Sequence, residues 1–219
     1  KRGTVVLAVL LIVVGFSGAN AQINFGEKAL GAVQKGVAGF TFSDAEAAVL
    51  SKTAVDKMDA ENVVAAATDP YTIRLNRLFG KYTKGEGYTL NYKVYKIKEV
   101  NAFATADGSV RVYSGLMDIM DDNELLAVIG HEIGHVANHD SRDAIKSAYK
   151  KEALIGVAAS QSDKIAAITD SQLAKIGSAM IDSKHSRKQE SEADLYAYDF
   201  LKKNGYNVNA EESAFRILA

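Results

Sequence analysis

Apolar positions recur at helical spacing along most of this chain and alternate in strand fashion only near its middle. Ser43-Asp-Ala-Glu46 has the spacing of a capping box and predicts a helix running to about residue 67. Asp69-Pro70 restarts a helix with proline in its first turn, ending near Tyr82. Lys84-Gly-Glu-Gly87 reads as a turn. Residues 89–99 are rich in β-branched and aromatic side chains, and 101–105 and 109–113 flank Asp107-Gly108, so three short strands are expected with a hairpin turn at that dipeptide. Asp121-Asp-Asn123 caps a further helix, whose Leu125, Leu126, Val128 and Ile129 bury it in the core. Residues 143–182 form helical segments broken at 160–163 and 169–171; their apolar residues pack on the core, with a lid or a docking patch as the alternative. Residues 187–201 form another helix, Gly205 closes it, and 209–219 begin a last one. The expected class is α+β: mainly helical, with a small antiparallel sheet beside the helix that begins at 121.

That helix carries His131-Glu-Ile-Gly-His135. Side chains four apart share a helix face, so both rings can turn a nitrogen to one metal ion, with Glu132 beside them as a general base that is not itself a ligand. A catalytic zinc takes three protein ligands and keeps one position open. The chain has no cysteine, which leaves His, Asp or Glu for the third. The extension His-Glu-x-x-His-x-x-Gly-x-x-His is excluded by Asn138 and Ser141, and His139 lies about 12 Å along the axis from His131. In 187–201, Glu190, Ala193, Asp194 and Ala197 form a stripe with small residues where another helix can approach. Glu190 is the chosen third ligand. Asp194, one turn on, accepts the second ring N–H of a ligand histidine, while Glu192 faces solvent. His139 and His185 read as surface or locally bonded histidines.

The pair His131-Glu-Ile-Gly-His135 and Glu190-Ser-Glu-Ala-Asp194 resembles peptidase family M48, the gluzincins related to HtpX and the CAAX prenyl proteases. Asn101-Ala-Phe-Ala104, Val110-Arg-Val-Tyr-Ser-Gly-Leu116 and Asp122–Gly130 extend the likeness, which covers roughly 101–205. Thr105–Ser109 departs from the Pro-Gly-Gly turn of many members, but Asp107-Gly108 is an adequate turn in its own right. The resemblance implies a zincin-like endopeptidase with one Zn2+ per chain held by His131, His135 and Glu190, and Glu132 as base. It implies polypeptide substrates and, in the secreted bacterial branch, misfolded envelope proteins. Peptidases commonly take substrate as an added β-strand, and Asn101, Ala102, Phe103 and Ala104 are the expected edge. The oxyanion donor stays open among Tyr196, Tyr198, His185 and Arg187.

Composition narrows the partners. The 219 residues are 47% hydrophobic and 24% charged with a net charge of −1, and Lys and Arg are dispersed, so no nucleic-acid partner is implied. Lys1-Arg2, the apolar Thr4–Phe16 and Ala19-Asn-Ala21 match the three regions of a secretory signal in order, placing 1–21 as signal peptide and 22–219 as one domain: helical lead 27–82, sheet 89–113, catalytic helices 121–204. A periplasmic protein is expected, with an extracellular or N-terminally anchored one as alternatives and contact with a membrane or outer-membrane machinery open. The rival reading is a latent, non-proteolytic zinc protein acting as an envelope chaperone.

Overall fold

The computed structural model describes residues 43–85, 87–155 and 168–218; the expected signal peptide, the start of the helical lead and the break at 160–163 lie outside the described residues. Helix α1 (Asp44–Glu61) opens with the expected capping box, Ser43 Oγ accepting from Glu46 N–H while the Glu46 carboxylate accepts from Ser43 N–H at 2.7 Å. It stops short of residue 67 because Val63–Ala65 pair with the sheet instead: Lys96 N–H donates to Val63 O at 2.8 Å and Ala65 N–H to Val94 O at 2.9 Å. β-Branched Val63-Val64 suits that extended path better than a helix. Helix α2 (Pro70–Phe79) is capped by Asp69. The turn expected at 84–87 proves to be a small hairpin, β1 (Lys84–Gly85) against β2 (Tyr88–Thr89).

Strands β3 (Asn91–Tyr95), β4 (Ala102–Ala104) and β5 (Ser109–Tyr113) make a sheet of order β3-β5-β4. The sheet is mixed rather than antiparallel throughout: β5 is antiparallel to β4 but parallel to β3, because the 96–101 link reverses the chain and the hairpin return then inserts β5 between the other two. The hairpin turns through Ala106-Asp107, closed by Gly108 N–H to Thr105 O, and Gly108 takes the left-handed conformation (φ 85°) that such a bulge needs. Both faces are covered. Ala102, Ala104, Val94, Val110 and Val112 join the main core, while Tyr95, Phe103 and Tyr113 cluster on the other face.

After β5 a short helix that the sequence reading lacks, α3 (Ser114–Ile119), leads into α4 (Asp122–Ala137), whose capping box joins Asp121 and Glu124. Arg74 of α2 fastens this corner by donating to Met117 O, Met120 O and Asp122. Helix α4 is buried on nearly all sides, as its apolar run requires. Helices α5 (Asp140–Ile155) and α6 (Asp170–Ile181) pack with α1 around Leu50, Val55, Ile145, Tyr149 and Ile176, so the described part of 143–182 is core-forming. Helix α7 (Arg187–Lys203) lies along α4 and ends at Gly205 (φ 72°), with Tyr206 N–H bonded back to Leu201 O. Helix α8 (Ala210–Leu218) is tied to the start of α4 through Ser213 and Glu124. Among the described residues no helix is long and apolar enough to cross a membrane.

The α4–α7 contact is made by small residues. A Cβ added at Gly134 would sit 3.0 Å from Ala193 Cα and 3.1 Å from Tyr196 Cβ; one at Gly130 would meet Phe200 Cδ1 at 3.3 Å and Ala197 Cα at 3.6 Å. Gly134→Ala raises helix propensity by up to about 1 kcal/mol but drives a methyl into the facing backbone, an overpacking cost of about 1–3 kcal/mol. The variant is expected to unfold at lower denaturant concentration than the wild type despite its better helix former, which a urea titration measures.

A second fixed point is Arg111, 2% exposed on the aromatic face of the sheet. Its guanidinium grips Asp59 of α1 with two bonds, 2.8 and 3.0 Å, and Lys93 and Tyr95 also donate to that carboxylate. Burial alone raises the Asp59 pKa, but these three donors outweigh it and bring the carboxyl down to about 2. A folded-state pKa below the unfolded one adds stability that is complete above about pH 5 and drains away as pH falls toward 2, about 2 kcal/mol in all. Across that window the stability gap between wild type and Asp59→Asn is expected to narrow, as followed by denaturant titrations at each pH.

Candidate metal centre

His131 and His135 leave α4 on the face covered by α7, and the two Nε2 atoms come within 3.1 Å of each other. Glu190, in the first turn of α7, completes the group: Oε2 is 3.4 Å from His131 Nε2 and Oε1 4.0 Å from His135 Nε2. Among the described residues two histidine–carboxylate groups are compact enough to hold a metal, and this one brings both Nε2 atoms and the Glu190 carboxylate within 4.0 Å of one another. Two ring nitrogens 3.1 Å apart share either a proton or a cation. One ion about 2.0–2.2 Å from each ligand spaces its donors roughly 3.4 Å apart, close to what is seen, and a set of two imidazoles and one carboxylate suits zinc.

The other ring nitrogens are held by carboxylates. His131 Nδ1 lies 2.9 Å from Asp194 Oδ1, the partner expected from the sequence. His135 Nδ1 lies 3.0 Å from Asp140 Oδ2, which the sequence reading missed. A carboxylate there accepts the Nδ1 proton and leaves Nε2 unprotonated for a metal. The signal in the sequence was faint, since Asp140 follows the end of α4 and comes back beneath His135 only because His139 takes a left-handed conformation (φ 67°). Such a conformation is uncommon for a non-glycine residue, though histidine is among the more tolerant. His139 itself stays outside the site, exposed and bonded to Tyr88 Oη at 3.0 Å.

His185, expected at the surface or in local bonds, is half-buried against the site. Its ring stacks on that of His135, centroids 3.9 Å apart and planes 17° from parallel, and it forms a second compact group with His135 and Asp140. In that group the Nδ1 of His135 and both Asp140 oxygens are already engaged, by each other and by Gln189. Phe215 of α8 meets the ring of His131 edge-on at 5.4 Å. Of the four residues weighed for the oxyanion, His185 lies against the ring of His135, Tyr198 lines a surface cavity between α7 and α8, and Arg187 is exposed. Glu192 pairs with Lys188 at the surface, as expected.

Burial holds the His135 pKa below the usual histidine value against the opposing pull of Asp140, so the ring is neutral at neutral pH, as a ligand must be. Glu132 keeps a window to solvent, but its carboxyl group is enclosed: burial first, and the Glu190 carboxylate second, push it up to about 8, opposed by a hydrogen bond from the Ala104 backbone. A divalent cation between the ligands adds positive charge beside it and favours the ionised form.

The Ala104 bond places β4 directly beside the site. In the β4–β5 ladder, Asn101 O accepts from Tyr113 N–H and Thr105 N–H donates to Ser109 O, so odd-numbered residues face β5 and the main chains of Ala102 and Ala104 face outward. The expected edge is therefore half as wide as Asn101–Ala104. Phe103 is 3% exposed with its side chain in the aromatic cluster, and Ala104 O already accepts from Ser141 Oγ at 2.9 Å.

A family model, "Peptidase family M48", matches residues 79–216. Metalloprotease LoiP of Escherichia coli (strain K12) is 40% identical over 181 residues, covering 82% of this chain and 72% of that protein. Metalloprotease YcaL of the same strain is 40% identical over 180 residues, 82% of this chain and 71% of that one. A putative beta-barrel assembly-enhancing protease of Vibrio cholerae serotype O1 is 32% identical over 129 residues, 56% of this chain but 27% of that protein. Sequence motif, ligand geometry and relatives agree, and the chain belongs to peptidase family M48 and is a metalloprotease.

Proposed function

We propose that this protein is a zinc-dependent endopeptidase in which His131, His135 and Glu190 hold the metal and Glu132 is the general base. The observation that carries the reading is the meeting of His131 Nε2, His135 Nε2 and the Glu190 carboxylate within 4.0 Å of one another beside an enclosed carboxyl. When bound, zinc polarises the scissile carbonyl and makes the attacking water acidic enough for a carboxylate to deprotonate. Glu132 takes that proton and delivers it to the leaving amine nitrogen, so one carboxyl serves both halves of the reaction. Its enclosure keeps competing water away from the transfer. Asp194 and Asp140 hold the two imidazoles in the tautomer that leaves Nε2 free.

Substrate lies along the outer edge of β4. Ala102 supplies the outward main-chain donor and acceptor, since Ala104 is engaged by Glu132 and Ser141. Main-chain pairing is indifferent to side-chain identity, which suits an enzyme that degrades unfolded or misfolded chains. The relative named for beta-barrel assembly supports a setting in the cell envelope, with misfolded envelope proteins as substrates in the periplasm. The apolar run and small-residue site within 1–21 support export.

Zinc-loaded protein is expected to cleave casein, and Glu132→Gln to lower kcat/KM at least about 10²–10⁴-fold at unchanged zinc content. Cleavage by the Gln variant at the wild-type rate removes Glu132 from the mechanism; no cleavage by a wild type that holds zinc favours the latent, chaperone-like reading. Dialysis against a chelator is expected to abolish activity and one equivalent of zinc to restore it, as measured by the same assay with metal analysis.

A further inference from the structure

The hydrogen bonds behind His135 begin on the helix that carries Glu190. Gln189 Oε1 accepts from Ser186 N–H at 2.9 Å, which closes the capping box of α7. The other end of the same amide, Nε2, donates to Asp140 Oδ1 at 2.7 Å, and Asp140 Oδ2 accepts from His135 Nδ1 at 3.0 Å. Asp140 is 5% exposed, so each of its oxygens needs a donor, and these two bonds supply them. The orientation of the amide follows from its neighbours. Turned over, it would set its oxygen against a carboxylate and its NH2 against a backbone N–H.

We propose that Gln189 is a positioning residue of the metal centre: acting through Asp140, it fixes the tautomer and ring orientation of His135 and thereby tightens metal binding. The proposal rests on the assignment of His131, His135 and Glu190 as ligands. Gln189 precedes Glu190 directly, so the turn of α7 that delivers the third ligand also braces the second. Capping would be met equally well by glutamate, the other usual residue at the third position of a capping box. Asp140 would not: it requires a donor, and a glutamate would face it with a second carboxylate. Glutamine satisfies both demands.

This asymmetry provides the test. In Gln189→Glu the cap is retained, so helix content by circular dichroism and the unfolding temperature are expected to stay near wild type. Zinc affinity, measured by competition with a chromogenic chelator, is expected to weaken about 10- to 100-fold. The visible absorption of the cobalt(II)-loaded variant is expected to change with it, since that spectrum reports ligand geometry. The double variant D140N/Q189E re-creates a donor–acceptor pair with roles exchanged: the amide introduced at position 140 donates to the carboxylate introduced at 189, while its carbonyl accepts from His135 Nδ1. It is expected to bind zinc more tightly than Q189E alone, and it carries the same comparison with wild type should the single variant fold poorly. Unchanged zinc affinity and cobalt spectrum in Q189E would overturn the proposal, as would a double variant that binds no better than the single one. A wild type that binds neither zinc nor cobalt overturns the ligand assignment itself, a result distinct from either of these.

Discussion

Everything at the metal centre depends on how closely α4 and α7 approach. Gly130 and Gly134 on one helix and Ala193 and Ala197 on the other leave no room for an added methyl at the tightest point. A catalytic metal needs its ligands placed to within a few tenths of an ångström, and a glutamate on a second helix reaches a histidine pair on the first only if the two backbones nearly touch. Small residues therefore act here as geometry rather than as filler. The wide apolar surface of α4 anchors it between sheet and helices, and α7 packs along it.

Electrostatics completes what packing begins. A neutral histidine prefers by a small margin to keep its proton on Nε2, and here each ring is turned the other way by a carboxylate at Nδ1, Asp194 from α7 and Asp140 from the start of α5. The two acids arrive by different routes: Asp194 is in register with Glu190 on one helix face, whereas Asp140 depends on an unusual backbone turn at His139. Elsewhere the Arg111–Asp59 pair has a mechanical role, joining α1 to the far face of the sheet while α4 occupies the near one.

What could be read from the residues alone followed periodicity. The helix positions of His131, Glu132, His135, Glu190 and Asp194 were legible because spacing on a helix translates directly into a shared face. The capping box at Ser43 and the cap at Asp121-Asp-Asn123 marked two helix starts for the same local reason. What escaped was non-local. Nothing in Val63–Ala65 shows that a strand edge lies ready to pair with it, and the parallel pairing of β3 with β5 depends on where the hairpin inserts. The stacking of His185 on His135 joins residues 50 positions apart through the packing of three helices, and the turn that returns Asp140 to His135 hinges on one φ angle. Strand β4 does lie at the sheet edge. Which of its main-chain groups faces outward was decided by the register with β5.

The stripe of small residues on α7 has one further consequence. A helix seated through two alanines four apart would find, by packing alone, an alternative seat one turn, about 5.4 Å, up or down its axis. Here the flanking positions of the stripe are occupied by Gln189 and Leu201, both too bulky to enter the slot opposite a glycine of α4. A slide in one direction would also bring the shorter Asp194 to the place of Glu190 and leave Tyr198, with no carboxylate, behind His131. The same few residues that admit α7 to the site thus oppose its docking one turn out of step.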